Sequence, residues 1–204
     1  MSATESDRTE PKLTLWLDPV CPFSWNTARW LHAVAEKAGW AIDWRLMSLA
    51  VLNEGRELPP AQRARMRDSQ QIGRLMTAIT REAGTTGWEA AYFAFGQRYF
   101  DRSEPLDADL VAHVLTAVGA RGALAAAVSD ASLDELVRQE HQAGQDALGE
   151  TGGSPILRIG EHAFFGPVLT APPDADAAGA LFDAVATLAA TPQFAQLQRP
   201  RTAA

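Results

Sequence analysis

Cysteine is the scarcest functional residue in this chain of 204 residues, which contains Cys21 and no other. A single cysteine excludes an internal disulfide and the clustered thiolates of a structural zinc site. The four histidines are scattered at positions 32, 113, 141 and 162, without the short spacing of a metal-binding pair. The sequence therefore predicts no bound metal, and its cysteine usage is typical of a reducing compartment.

Positive charge and long apolar runs are also lacking. The formal net charge of −7 does not provide the basic face with which a general nucleic-acid-binding domain neutralises phosphates. No apolar run approaches the roughly 20 residues that a membrane-spanning helix needs. Residues 1–11 are polar and lack the apolar segment of a secretion signal. We therefore expect a cytoplasmic protein with no nucleic-acid or membrane partner.

The order of hydrophobic patterns predicts an interrupted α/β domain. Residues 12–17 predict a strand, the segment from Cys21 to Gly39 a helix, and residues 40–47 a second strand, which together form a βαβ unit. Residues 156–159 and 162–165 predict a hairpin, followed by a closing helix over residues 175–190.

Between these two parts only helical periodicity is found. We therefore predict a domain built from two segments, a helical insertion between them, and a tail at each end. Within the insertion, Ser132 and Glu135 have the spacing of a capping box at the start of its last helix. The predicted boundaries are 12–58 and 148–190 for the domain, 59–147 for the insertion, and 1–11 and 191–204 for the tails.

Cys21 lies in the segment DPVCPFSW, between the first predicted strand and the first predicted helix. Unpaired backbone N–H groups and aligned peptide dipoles at a helix N-terminus favour a thiolate, and Pro22 suits the first turn. Asp18 either opposes this effect through its negative charge or caps the helix. The motif predicts that Cys21 is a nucleophilic thiolate.

Ser24 stands where a second cysteine would allow an internal disulfide. An oxidised Cys21 must therefore be bonded to another molecule, and an external thiol must complete the reaction. The Ser24 hydroxyl either donates a hydrogen bond to the thiolate or bonds the backbone of its own helix. Both interpretations remain open from the sequence.

Four longer segments resemble the DsbA-like thioredoxin-fold family. They are DPVCP at 18–22, MSLAVLNE at 47–54, HQAG at 141–144 and AFFGPVL at 163–169. The chain is most similar to the mycothiol-dependent nitroreductase branch; kappa-class glutathione transferases and 2-hydroxychromene-2-carboxylate isomerases are more distant relatives. The resemblance implies an α/β, thioredoxin-like fold with a large α-helical insertion.

The same resemblance assigns roles to individual residues. It implies that Cys21 is the catalytic nucleophile, and we assign Ser24 as its catalytic partner. The implied thiol-binding residues are Pro22, Phe23, Asn53, Ser154 and a cis Pro155. We assign a substrate pocket to Trp88, Tyr92, His141 and Phe165, with ordinary core packing as the alternative for the aromatic residues and for His141.

The function expected from this resemblance is a thiol-dependent oxidoreductase that reduces or transforms an electrophilic organic substrate or a mixed disulfide. Mycothiol is the favoured low-molecular-weight thiol and glutathione the alternative; homodimers occur among the relatives. Two alternatives remain open. One is a thiol-dependent isomerase or S-transferase, and the other is a thioredoxin-like binding module without turnover.

Overall fold

A mixed four-stranded sheet is the centre of the protein, which a computed structural model describes over residues 11–201. The strands have the order β2-β1-β3-β4; β1 is parallel to β2 and antiparallel to β3, which is antiparallel to β4. All five residues of β1 are buried, as expected of an apolar strand covered on both faces. The bounds are β1 Leu13–Leu17, β2 Ile42–Leu46, β3 Ile156–Ile159 and β4 His162–Phe165.

Helices connect and cover these strands. A π-helical turn follows the third helix at Gln97–Asp101, and 3-10 turns at Gly122–Ser129 and Ala131–Leu133 precede the fifth. The helices are α1 Pro22–Ala38, α2 Leu49–Leu52, α3 Pro60–Gly96, α4 Ala108–Ala117, α5 Asp134–Leu148 and α6 Ala175–Ala189. This order confirms the predicted thioredoxin-like fold with a large helical insertion; the division at residues 59 and 147 stays a prediction.

Two layers of helices enclose the sheet. Leu15 and Leu17 belong to the main core, which includes residues of α1, the insertion and α6. On the other face, Trp16 packs with Met47 and Ile156 under α5, where a Cβ at Gly144 would lie 3.0 Å from the indole. The alternation along β1 explains why one short strand supports both layers.

Local signals define the ends of α1. Cys21 is its N-cap, Pro22 occupies the first turn, and Gly39 closes it with a φ of 72°, a conformation that favours glycine. The capping box predicted at Ser132 and Glu135 is not formed: the helix begins at Asp134. Ser132 instead lies in the preceding 3-10 turn, where its backbone N–H donates to Asp130.

Within the described residues, no helix is long and apolar enough to cross a membrane. The same residues contain no group of three or more His, Cys, Asp or Glu side chains placed to hold a metal ion. Most of the predicted N-terminal tail, residues 1–10, lies outside the described residues.

The close approach of α1 to the end of α3 generates a stability prediction. In Gly96→Ala the added Cβ would lie 2.4 Å from the Trp25 ring, so we expect a loss of about 3 kcal/mol in the free energy of unfolding. The matched control is Gly179→Ala on α6, where nothing lies within 4 Å and where a gain of up to about 1 kcal/mol is expected. Denaturant titration measures both; equal effects would contradict the packing described.

Candidate active site

A tight turn delivers Cys21 from the end of β1 to the start of α1. We name residues 18–21 the nucleophile turn. The Cys21 N–H donates to the Asp18 carbonyl over 3.1 Å, and the Val20 N–H donates to the Asp18 carboxylate over 2.8 Å. Both bonds fix the turn through Asp18, so the sulfur has one defined position at the helix N-terminus.

Residues of α1 and of the segment before β3 lie around the sulfur. The Cys21 thiol donates to the Ser154 carbonyl over 3.4 Å, and the Ser154–Pro155 peptide is cis, as the resemblance implied. The Ser154 hydroxyl lies 2.7 Å from the Ser24 hydroxyl and accepts a hydrogen bond from the Asp18 N–H, also over 2.7 Å. The structure thus brings Cys21, Ser24, Ser154 and Pro155 together.

The two hydroxyls form a hydrogen-bonded chain beside the sulfur. Because the Asp18 N–H can only donate, the Ser154 oxygen accepts it and the Ser154 proton is available to the Ser24 oxygen. The hydrogen bond that the sulfur itself forms is to the Ser154 carbonyl. Hydrogen bonding by Ser24 lowers the pKa of the Cys21 thiol, and both interpretations of this residue stay predictions.

Burial outweighs these donors at Cys21. The residue is 5 % exposed, and desolvation of the thiolate raises its pKa above the ordinary value of a cysteine. Hydrogen bonds from Ser24 and from the Phe23 N–H lower the pKa, whereas the charge of Asp18 raises it. The lowered pKa expected from a helix N-terminus is therefore not what the structure shows, because the thiol is withdrawn from water.

The Asp18 carboxylate is buried in the same region and joins three segments. It accepts hydrogen bonds from the Val20 N–H, from the Leu49 N–H over 2.6 Å, and from the Ser69 hydroxyl. Ser69 in turn accepts from the Ala50 N–H over 3.1 Å. Desolvation raises the pKa of Asp18 to about 6, despite these donors and the nearby charge of Arg65.

The segment held by Asp18 contains Asn53. We name residues 48–53 the thiol-binding loop, after the role predicted for Asn53. Ser48 caps α2 by accepting from the Val51 N–H, and the Asn53 amide donates to the Leu49 carbonyl over 2.8 Å. Asn53 is half-buried and lies one helical turn beyond the N–H that Asp18 holds. Its role in thiol binding stays a prediction.

Pro22 and Phe23 directly follow Cys21 in the sequence and are half-buried. The Phe23 ring lies under the guanidinium of Arg201, whose Cζ is 5.0 Å from the ring centroid. The C-terminal segment therefore contacts the CPFS motif directly, although its sequence gave no reason to place it there.

The four residues assigned to a substrate pocket lie in three places. Trp88 and Tyr92 are stacked with ring centroids 5.3 Å apart and are almost fully buried, in line with the core-packing alternative, and their role as substrate contacts stays a prediction. His141 is buried and accepts from the Ser48 N–H over 3.4 Å, and Phe165 is 42 % exposed against Gly153. Pocket roles for His141 and Phe165 stay predictions.

Trp88 lines a cleft of about 350 Å³ between β2, α3 and α5. Its lining includes Trp44 and Trp88 but no residue of the nucleophile turn or the thiol-binding loop. The ring stripe on α3 packs in the core, with Trp88 at the edge of this cleft. Tyr92 lies toward the thiol, since burial and then the charge of Cys21 raise its pKa. Burial also lowers the pKa of His141, which favours its neutral form.

Asp18 and Ser69 are the functional residues that sequence reasoning missed. Asp18 was considered only as a helix cap or a source of repulsion, and Ser69 has no local motif because its partners are 19 and 51 residues away. A buried aspartate directly after an apolar strand is the one signal that points to such a site.

A family model described as "Rv2466c-like: Mycothiol-dependent nitroreductase Rv2466c" matches residues 20–199. The uncharacterized protein Rv2286c of Mycobacterium tuberculosis is 33% identical over 193 residues, which span 92% of this chain and 81% of that protein. Both matches extend across the helical insertion, and the family match also covers β2, β3 and β4.

Two solved structures show the same fold at low sequence identity. A 2-hydroxychromene-2-carboxylate isomerase aligns with a TM-score of 0.60 and 18% identity, covering 86% of this chain and 95% of that chain. A probable DsbA oxidoreductase of Streptomyces coelicolor, SCO1869, aligns with a TM-score of 0.59 and 16% identity, covering 94% of each chain. At these identities the likeness concerns the fold alone.

The hydroxyl chain generates a prediction about reactivity. In Ser24→Ala the thiolate loses a charge-assisted hydrogen bond, so its pKa rises and alkylation by iodoacetamide at pH 7.5 slows about tenfold. Ser129→Ala, in an exposed turn, is the matched control. The rate is measured from pH 6 to 10, and a Ser24→Ala profile that overlays the wild type would contradict the assignment.

The buried carboxylate generates a prediction about stability. Because the pKa of Asp18 is about 6 in the folded state against 3.8 unfolded, its contribution to stability is fully present below pH 3.8 and lost as the pH rises through 6. The loss amounts to about 3 kcal/mol.

Asp18→Asn cannot ionise at this position and lacks this loss. The free energy of unfolding of the variant minus that of the wild type should therefore be larger at pH 8 than at pH 4. Denaturant titrations at both pH values measure it. Asp43→Asn, exposed on β2, is the control. A difference that stays constant with pH would show that Asp18 is charged at little cost.

Proposed function

The chain belongs to the Rv2466c-like family of mycothiol-dependent nitroreductases, and on that premise we propose that it is a monothiol oxidoreductase that uses mycothiol to reduce an electrophilic organic substrate. The observation that carries the proposal is the single sulfur of Cys21, held beside Ser24 and the cis Pro155 segment. A cytoplasmic location and a homodimer remain part of the proposal.

The residues around Cys21 suit a second thiol as co-substrate. The Ser154 carbonyl, which accepts the Cys21 S–H here, lies where a sulfur bound to Cys21 would pass. The Asn53 amide at the end of the thiol-binding loop offers a polar contact for the remainder of that molecule. Glutathione, the alternative thiol, has the same sulfur chemistry but carries two carboxylates, so the test below includes it.

The proposed reaction moves two electrons. The Cys21 thiolate adds to the electron-accepting atom of a polarised double bond in the substrate; the π bond breaks, and its electron pair moves to the neighbouring atom, which takes up a first proton. The bond from Cys21 to the substrate breaks when the thiolate of a mycothiol attacks the Cys21 sulfur; its electron pair stays on the substrate, which takes up a second proton. Cys21 is then in a mixed disulfide. Attack of a second thiol on the outer sulfur restores the Cys21 thiolate and releases the mycothiol disulfide.

Ser24 and Ser154 assist the steps in which Cys21 is a thiolate. The Ser24 proton stabilises the anion before attack and again when the mixed disulfide is broken. Burial keeps the resting thiol largely protonated, so the reaction begins with loss of the Cys21 proton. We therefore expect activity to rise with pH through the neutral range.

One observation favours a second candidate, a thiol-dependent isomerase or S-transferase. Burial raises the pKa of Cys21, so a neutral Cys21 thiol and the Ser24 hydroxyl could both donate to the sulfur of an external thiolate. That thiolate would then attack the substrate itself, with no net redox change. The two candidates differ in whether a reductant is consumed in proportion to product.

The proposal predicts a covalent adduct at one residue. Purified protein incubated with mycothiol disulfide at pH 7.5 should gain the mass of one mycothiol, located at Cys21, and fresh thiol should remove it. Cys21→Ser should form no adduct. Glutathione disulfide is tested in parallel to show which thiol is accepted.

The control is the same incubation in denaturant, where any cysteine reacts. Modification only after unfolding would reject the oxidoreductase proposal. Turnover of a nitroaromatic substrate by Cys21→Ser at the wild-type rate, without oxidation of thiol to disulfide, would support the isomerase or transferase candidate instead.

A further inference from the structure

The mechanism above leaves one buried charged group without a role. Asp18 has no water-exposed surface, and its carboxylate receives three hydrogen bonds from three separate segments. A buried carboxylate is a costly way to join segments, because its charged form must be taken out of water. Such a group is therefore a candidate for function.

Two of the three segments are those that the proposed reaction must bring together, and the third is α3. The Val20 N–H belongs to the nucleophile turn, the Leu49 N–H begins the helix of the thiol-binding loop, and Ser69 belongs to α3. Ser69 also accepts from the Ala50 N–H, which gives the thiol-binding loop a second bond in the same network. One carboxylate thus links the turn that positions the sulfur to the loop that carries Asn53.

We propose that Asp18 is a positioning residue that holds the thiol-binding loop in register with Cys21, so that an external thiol is accepted only in this arrangement. The inference rests on the proposed function and deepens it. Asp18 touches neither the sulfur nor the external thiol in this scheme; it acts through the backbone N–H groups that it binds.

Asp18 also acts on the sulfur through its charge, and this effect is unfavourable for reaction. Its negative charge raises the pKa of Cys21, and so slows every reaction that needs the thiolate. A carboxylate that only tuned the thiol would thus be unfavourable. The positioning role predicts that removing the charge has opposite effects on two reactions of the Cys21 sulfur. Alkylation by a small reagent becomes faster, and reaction with a thiol that needs Asn53 becomes slower.

Several ionisable groups face Asp18 from the surrounding elements. Arg65 from α3 lowers its pKa, and Cys21, Tyr92 and Tyr99 also sense its charge. Burial raises the pKa values of Cys21 and of both tyrosines, so these three stay neutral at acidic pH. His141, which binds the Ser48 N–H, is the other group that titrates on the acidic side.

The test compares Asp18→Asn, Ser69→Ala and the exposed control Asp43→Asn in three measurements. These are the pH profile of iodoacetamide alkylation, the rate of adduct formation with mycothiol disulfide, and hydrogen exchange of residues 48–53. In Asp18→Asn we expect the alkylation midpoint to fall, adduct formation to slow roughly tenfold to hundredfold relative to alkylation, and exchange at Leu49 and Ala50 to rise.

Ser69→Ala separates position from charge, because it removes a link to the thiol-binding loop and keeps the carboxyl group. Loss of the Ser69 hydrogen bond raises the pKa of Asp18 further, so the alkylation midpoint is compared in the alkaline range, where Cys21 titrates and the carboxyl group is ionised. We expect it to keep the alkylation midpoint of the wild type, to slow adduct formation and to raise exchange in residues 48–53. Asp43→Asn should match the wild type in all three. The proposal is overturned if Asp18→Asn changes both rates by the same factor with unchanged exchange.

Failure of the proposed function would be visible separately. If the wild type forms no adduct with mycothiol or glutathione disulfide, the oxidoreductase proposal fails. Exchange in residues 48–53 of Asp18→Asn then decides on its own whether Asp18 holds the loop: faster exchange supports the positioning role, and unchanged exchange rejects it.

Discussion

The bonds of one buried carboxylate are the constraint on which the site depends. Asp18 follows the central strand, where the chain must turn into α1, and its oxygens meet N–H and O–H groups from three directions. Its backbone N–H and carbonyl are also used, by Ser154 and Cys21. Every atom of Asp18 that can form a hydrogen bond therefore contributes to the geometry around the sulfur.

Two opposed effects of the surrounding residues determine how readily the Cys21 thiol ionises. The same enclosure that fixes the sulfur withdraws it from water and disfavours its anion, while the Ser24 hydroxyl and backbone N–H groups favour the anion. A thiol balanced in this way is protected from indiscriminate reaction. In the reaction proposed above, a bound molecule would supply the further stabilisation that makes such a thiol an efficient nucleophile.

The sequence was most informative where structure follows from local patterns. The strand, the proline-led helix and its glycine stop around Cys21 were all predictable, because each rests on neighbouring residues. The Asp18–Ser69 bond was not predictable, since it spans 51 positions and neither residue has a distinctive neighbourhood. At Trp88 and Tyr92 on α3 the sequence could not decide between core packing and a pocket wall, because a buried aromatic face and a ligand-binding wall have the same sequence pattern.

The contact between Ser154 and the nucleophile turn spans 136 positions. During synthesis Cys21 therefore leaves the ribosome long before the segment that encloses it exists, and the whole helical insertion must be made in between. Until then the sulfur is an ordinary exposed thiol, open to any oxidant in its surroundings. Burial of the Cys21 thiol therefore has to wait until the Ser154 segment and the hairpin that completes the sheet have been made.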